Sequence, residues 1–273
     1  MSSCTGNCSS CGQSCSDRKE ESLLAELHPN ASVKKVYAVV SGKGGVGKST
    51  VTSMLAVAMQ KRGKNAAILD ADITGPSIPK AFGLEGIPGA DADGILPAVT
   101  PSGIQVMSIN LLLENTNDPV LWRGPILAGA VKQFWTDVIW QDVDYMLVDM
   151  PPGTGDVPLT AFQSLPIDGL ILVTSPQELV SLIVEKAVRM AELMKVPVVG
   201  MVENYSYLTC PDCGKRIELF GKSHAAEICQ SYHIPLLAQL PLDPAVAALM
   251  DAGSAEQIET TELEGAAAAI CGD

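Results

Sequence analysis

Residues 41–50 read Ser-Gly-Lys-Gly-Gly-Val-Gly-Lys-Ser-Thr, and no other stretch narrows the possible folds as much. Gly42 to Ser49 satisfies G-x-x-x-x-G-K-[ST]. In that pattern the glycines let main-chain N–H groups close around phosphate oxygens, the lysine reaches the outer oxygens and the hydroxyl ligates Mg²⁺. The pattern needs a strand before it and a helix N-terminus after it. Lys34 to Val40 reads as a short apolar strand, and Val51 to Gln60 carries apolar residues at helical spacing. An ordinary glycine turn is the bland alternative, and the flanking elements argue against it.

Two further strand ends offer carboxylates. Asn65 to Leu69 predicts a strand running into Asp70-Ala71-Asp72-Ile73-Thr74-Gly75-Pro76-Ser77. Tyr145 to Val148 predicts another that delivers Asp149, followed by Met150-Pro151-Pro152-Gly153-Thr154-Gly155-Asp156. Carboxylates just past the carboxyl ends of strands in an open α/β sheet lie where ligands bind, and can address Mg²⁺ or an attacking water. Asp149 after an apolar run fits a Mg²⁺-holding position. Gly153 and Gly155 allow hinge-like change in a segment that the prolines stiffen.

The rest alternates in the same way. We expect a surface connection over 83–103, a strand over 104–109 and a helical stretch opened by Trp122-Arg123-Gly124-Pro125 and reaching Trp140. Further on we expect a strand over 169–174, a helix over 179–194, a strand over 196–202, a helix near 223–231 and a strand over 235–239. Alternation of this kind predicts an α/β protein, a doubly wound and mostly parallel sheet with helices on both faces. Right-handed crossovers would gather Gly42 to Ser49, Asp70, Asp72, Asp149 and Asn204 at one end of that sheet. The length of 273 residues suits one large domain over 31–273, preceded by a cysteine-rich tail over 1–30.

Charge and hydropathy limit the partners. The net charge is −13, from 31 acidic and 18 basic residues, and no basic block offers a footprint for a phosphate backbone. Nucleic acid is not expected. Met1 to Glu21 lacks a basic start and an apolar core, and no run reaches about 18 apolar residues, so neither a secretory signal nor a membrane span is expected. The acidic, alanine-rich residues 255–273 also differ from a basic membrane-binding helix. We expect a cytoplasmic protein.

In a reducing compartment, clustered cysteines bind metal or do redox chemistry more often than they pair. Six of the eight cysteines are clustered. Cys4, Cys8, Cys11 and Cys15 put four thiols within twelve residues, compact enough for one [4Fe–4S] cluster or one zinc ion, or else a thiol-rich tail without order. The first three also match a C-x3-C-x2-C radical-enzyme pattern, which needs a barrel that does not follow. Cys210-Pro-Asp-Cys213, in a loop at 208–214, is half of a four-ligand site. It could also be a redox dithiol or half of a zinc ribbon. Cys229 and Cys271 stand alone and receive no role.

The second lysine, Lys43, makes the loop resemble the deviant P-loop, G-K-G-G-x-G-K-[ST], of the MinD-like ATPases. The strings D-A-D-I-x-G-P-S, W-R-G-P, D-x-P-P-G-T-G-D and C-x2-C together resemble the Mrp/ApbC family of iron–sulfur carrier ATPases over about residues 30–250. The four-cysteine tail looks like that of the eukaryotic cytosolic scaffold ATPases related to Mrp, with closer spacing. This resemblance implies an ATP-hydrolysing homodimer that assembles a [4Fe–4S] cluster between subunits and passes it to apo-proteins. It implies that Gly42, Lys43, Gly44, Gly45, Val46, Gly47, Lys48, Ser49 and Thr50 cradle the phosphates, with Lys43 acting across the dimer. It further implies Ser49, Asp70 and Asp149 around Mg²⁺, Asp72 on the water, Asn204 on adenine, Cys210 and Cys213 on the shared cluster, and Arg123 at the interface or nucleotide. Two other classes use similar parts: an ATP-driven electron carrier resembling the nitrogenase iron protein, and a ParA/MinD-type positioning ATPase.

Overall fold

The computed structural model describes residues 24–272 apart from 73, 74, 76, 91, 113–123, 154, 155 and 177–179. Cys4, Cys8, Cys11, Cys15 and Arg123 therefore lie outside the described residues.

In chain order the strands are β1 (Val33–Val40), β2 (Ala66–Asp70), β3 (Ala98–Val99), β4 (Gln105–Ser108), β5 (Val143–Asp149), β6 (Gly169–Thr174), β7 (Val198–Thr209), β8 (Arg216–Ile217) and β9 (Leu236–Pro241). The helices are α1 (Lys48–Lys61), α2 (Ile78–Ala81), α3 (Gly124–Thr136), α4 (Asp156–Ser164), α5 (Val180–Met194), α6 (Ala225–Ser231), α7 (Pro244–Asp251) and α8 (Glu264–Cys271). The strands are ordered β3-β4-β2-β5-β1-β6-β7-β8, with β9 also on β7. Pairing is parallel except where β3 meets β4 and β8 meets β7. This is the doubly wound, mostly parallel α/β sheet expected.

The strands are apolar at consecutive positions because both faces are covered. Val36, Ala38, Val40, Met146 and Val148 face one cluster with Phe134, Trp135, Phe162 and Val184 of α3 to α5. Val39, Ile68 and Leu147 face the other, with Leu55 and Met59 of α1 and Ala266, Ala267 and Ile270 of α8. α1 is therefore buried on nearly all sides, and its small and flexible residues suit a helix squeezed between the sheet and α8. Full burial of a side chain such as Leu55 is worth about 1.5–3 kcal/mol.

Several boundaries differ from expectation. The helix begun near Trp122 ends at Thr136, not Trp140. Trp140 leaves the helix to bury its ring completely, and its indole N–H donates to the Phe134 carbonyl at 3.0 Å. β7 does not stop at Val202 but runs to Thr209. Its later residues pair with β8, support that the isolated apolar run gave no sign of. In the acidic carboxyl-terminal stretch, to which the sequence assigns no element, Leu263, Ala266, Ala267 and Ile270 are buried. At the other end, Ala25 donates its N–H to the Ser164 carbonyl at 2.8 Å and accepts the Trp135 indole N–H at 3.1 Å.

Candidate functional site

Residues 41–47 leave the carboxyl end of β1 and close on α1. Gly45 and Gly47 have φ of 79° and 77°, a region that L side chains enter only under strain. Gly47 is fixed a second way. A Cβ there would lie 2.2 Å from Asn204 Nδ2 and 2.8 Å from the Tyr205 hydroxyl. Asn204 Nδ2 donates to the Val46 carbonyl at 3.0 Å, so β7 leans directly on the loop. At the loop's start, a Cβ on Gly42 would fall 2.2 Å from Ile183 Cγ2 of α5. The first turn of α1 carries no acidic residue. Its free N–H groups and positive dipole end thus favour an anion.

Beneath the loop sits Asp149, fully buried at the end of β5. Its Oδ2 accepts from Lys48 Nζ at 2.7 Å and Ser49 Oγ at 2.6 Å, and its Oδ1 accepts from Thr52 Oγ1 at 2.7 Å. Lys48 Nζ also stands 3.6 Å from Asp72 Oδ2. Strand register explains the grouping, because β2 and β5 pair with Asp70 directly opposite Asp149. Asp70 accepts the Asp72 N–H at 3.1 Å and the Ser108 hydroxyl at 3.0 Å. Burial, and then the neighbouring Asp149 carboxylate, push the Asp70 carboxyl up from 3.8 to about 8.

The donor set fits a Mg²⁺–nucleotide. Hard oxygens of the kind Mg²⁺ takes lie on both sides of the Lys48 ammonium, with Ser49 Oγ bonded to Asp149 at 2.6 Å and Asp72 Oδ2 at 3.6 Å from the lysine. A cavity of about 270 Å³ over the loop is lined by Lys43, Lys48, Asp72, Pro152 and Tyr205 among others. A larger one of about 680 Å³ adjoins it, with Thr50, Asn204, Pro241, Asp243 and Ile258 in its wall. Together they have room for phosphates and for a base with its sugar.

The structure thus brings together Gly42 to Thr50, Asp70, Asp72, Asp149 and Asn204. Sequence reasoning missed Thr52, Ser108 and Tyr205. Thr52 was findable, since it is a polar residue on the buried side of α1 one turn beyond Ser49. Ser108 became visible only once β4 was placed beside β2.

Cys210 and Cys213 are distant from this point along β7, in the turn between β7 and β8. The turn is tied by main-chain bonds, Cys210 N–H to the Lys215 carbonyl at 2.9 Å and Gly214 N–H to the Cys210 carbonyl at 2.9 Å. Arg216 lies 4.2 Å above the Tyr207 ring and stiffens the hairpin. N–H groups of Cys213 and Asp212 aimed at the Cys210 sulfur hold its thiol below the usual range. A thiol of that kind is readier to ligate metal. Both cysteines are free, and no group of three or more His, Cys, Asp or Glu able to hold a metal occurs among the described residues. Cys229, on the buried side of α6, has its thiol pushed up to about 11, mainly by burial.

A family model described as the ParA, NUBPL iron-transfer P-loop NTPase matches residues 32–271. The chain belongs to that family. A relative named an iron–sulfur cluster carrier protein, from Methanococcus maripaludis, is 44% identical over 247 residues, covering 88% of this chain and 86% of its own. A solved nucleotide-binding protein of Archaeoglobus fulgidus, in complex with ADP, is 45% identical with a TM-score of 0.76, over 83% of this chain and 89% of its own. The cell-division ATPase MinD of Pyrococcus furiosus, 22% identical with a TM-score of 0.60 over 86% of this chain and 98% of its own, shares the fold. Family membership fits the glycine loop and the paired strand-end carboxylates described above.

Proposed function

We propose that the chain is an ATP-dependent carrier of iron–sulfur clusters, taking a [4Fe–4S] cluster as cargo on Cys210 and Cys213 and passing it to apo-proteins in the cytoplasm. The observation that carries this reading is one strand. β7 touches the phosphate loop through Asn204 and six residues later delivers Cys210 to an exposed hairpin. The nucleotide end gathers its loop, Lys48 and carboxylates within one chain, whereas the hairpin supplies two thiols where a cluster takes four. A second copy would supply the others, with Lys43 reaching across to the partner's phosphates. When bound, ATP would supply the phosphoanhydride and Mg²⁺ the charge that faces the carboxylate–lysine cluster. Lys48 would leave Asp149 for the outer phosphate oxygens, Ser49, Asp70 and Asp149 would face the metal, and Asp72 would orient water. The four tail cysteines are proposed to hold a second cluster.

Support comes from the family match, from the name of the 44%-identical relative and from the ADP complex of the 45%-identical structure. The test is anaerobic reconstitution followed by iron and sulfide analysis and sedimentation velocity, with ATP and with ADP. Beyond the iron held by the tail, one cluster per two chains that is lost in Cys210→Ser is expected, in a particle of dimer mass. A chain that stays single with ATP and Mg²⁺ yet keeps iron at those cysteines would overturn the reading.

A further inference from the structure

A buried carboxylate stands between the two ends of β7. Glu203 is 1% exposed, and among the described residues no lysine or arginine pairs with it. Neutral donors meet it instead. Ser206 Oγ donates at 2.5 Å, Ser223 Oγ lies 2.9 and 2.7 Å from its two oxygens, and Gln239 Nε2 donates at 2.8 Å. A charge held away from water costs several kcal/mol unless such bonds replace its hydration. Every bond to it therefore matters.

The positions of those donors are telling. Ser206 begins the excursion that carries Cys210 and Cys213, and Ser223 ends it, just before α6, whose Ala225 N–H it caps at 3.1 Å. Both hydroxyls converge on Glu203, which closes the neck of the cysteine hairpin. On the other side, the next residue is Asn204, bonded to the Val46 carbonyl. Between them Tyr205 holds φ of 59°, a left-handed conformation that costs a tyrosine about 1–3 kcal/mol. The register of β7 on β9 also breaks between Glu203 and Tyr207. The strand is thus kinked where its nucleotide contact gives way to its thiol-bearing part.

We propose that Glu203 is a positioning residue that ties the hairpin neck to the nucleotide-contacting kink, so that the nucleotide state at Asn204 and Tyr205 sets the exposure and spacing of Cys210 and Cys213. The meaning of this coupling rests on the carrier reading above, but the coupling itself belongs to the apo-thiols. Nucleotide entering beside Gly47 must meet the Asn204 amide and the Tyr205 hydroxyl. Displacement of either bears on Ser206, and through the shared carboxylate on Ser223, so both ends of the hairpin move together.

The test is peptide-resolved iodoacetamide labelling of Cys210 and Cys213 in the full apo-protein, with Mg·ATP, Mg·ADP or neither. In the wild type, ATP is expected to change the labelling rate at least about fivefold, the lower end of ordinary site-to-site coupling. Glu203→Ala and Ser223→Ala should bring the ratio to about one while fluorescent-nucleotide affinity stays within about twofold, and Ser223→Thr, which keeps the hydroxyl, should restore the ratio. If Glu203→Ala does not fold, Ser223→Ala decides, since it leaves the bonds from Ser206 and Gln239 in place. A wild-type ratio of one, or an unchanged ratio in Ser223→Ala, overturns the proposal. Iron loading is measured on unlabelled portions of the same preparations. A wild type that loads no iron at Cys210 sinks the carrier reading while the labelling still judges the tie, whereas normal loading with an unchanged Ser223→Ala ratio sinks only the tie.

Discussion

The two ends of β7 differ in how much of their chemistry is already paid for inside one chain. At the phosphate loop Asp149 is fully buried and met by three donors, Lys48 is nearly buried, and Gly47 is pressed by Asn204 and Tyr205. At the hairpin Cys213 is exposed and Cys210 half-exposed, held by a main-chain turn and little else. A preorganised site loses little freedom when its ligand arrives, while a bare pair of thiols gives up more and binds cargo more loosely. A carrier needs that asymmetry, with a firm hold on the fuel and a releasable hold on the freight.

The comparison breaks first at Lys48. Lys48→Ala removes the only cation bonded to Asp149 among the described residues and the group placed to meet the phosphates. Nucleotide affinity should fall by about 100-fold or more, as loss of a charge-assisted contact of about 3 kcal/mol implies, measured by calorimetric titration. The hairpin should not notice, and labelling of Cys210 without nucleotide should match the wild type. A variant that binds ATP normally would remove the phosphate role from the loop.

Next in size is the converse change. Cys210→Ser should abolish iron at the hairpin by anaerobic iron analysis, yet leave thermal stability within about 0.5 kcal/mol, as an exposed substitution does, and nucleotide affinity unaltered. A large loss of stability would mean that the hairpin is a structural clasp.

The phosphate end was legible in the sequence because its requirements are local. Glycines at fixed offsets, an apolar strand before and a helix after state the whole geometry between Gly42 and Thr50, and Asp70 and Asp149 are marked by the runs they end. Their juxtaposition across β2 and β5 also followed from parallel pairing. What escaped was set by distant partners. Glu203 reads as the polar end of a strand, and only the return of the chain at Ser223 and the neighbouring β9 residue Gln239 reveal it as the neck of the hairpin. The Thr209 end of β7 was hidden because its partner β8 is two residues long. α8 was hidden because an alanine-rich stretch has no strong stripe, although Ile270 and Leu263 are buried against α1. The segment around Ala25 was hidden because its docking rests on distant partners, the Ser164 carbonyl and the Trp135 indole.

A smaller effect is expected at Gly47. Gly47→Ala would force a left-handed alanine and a Cβ 2.2 Å from Asn204 Nδ2. The amide must give way, costing about 1–2 kcal/mol in backbone strain alone. Nucleotide affinity should fall about tenfold, and since the displaced residue is Asn204, the nucleotide response of the Cys210 thiol should weaken with it. Asn204→Ala should weaken both to a lesser degree. Affinity lost with the thiol response intact would separate the two ends.

The last effect is a slope with pH. Asp70 is pushed from 3.8 to about 8 in the folded chain, first by burial and then by Asp149. Below about pH 4 both folded and unfolded chains hold this proton, so Asp70 contributes no slope there. Between about pH 4 and 8 the unfolded chain has released it and the folded chain has not, so the contribution of Asp70 to stability falls as pH rises through that window. Asp70→Asn keeps the neutral, hydrogen-bonding shape and removes the slope. Its melting temperature should match the wild type near pH 4 and exceed it by a margin that widens as pH rises toward about 7.5. Cys210→Ser should leave the wild-type slope untouched, because the hairpin is exposed and shares no buried charge with the carboxylate pair. Parallel pH profiles for the wild type and Asp70→Asn would mean that water reaches Asp70, and the dry, preorganised phosphate end would then be no different in kind from the open thiol end.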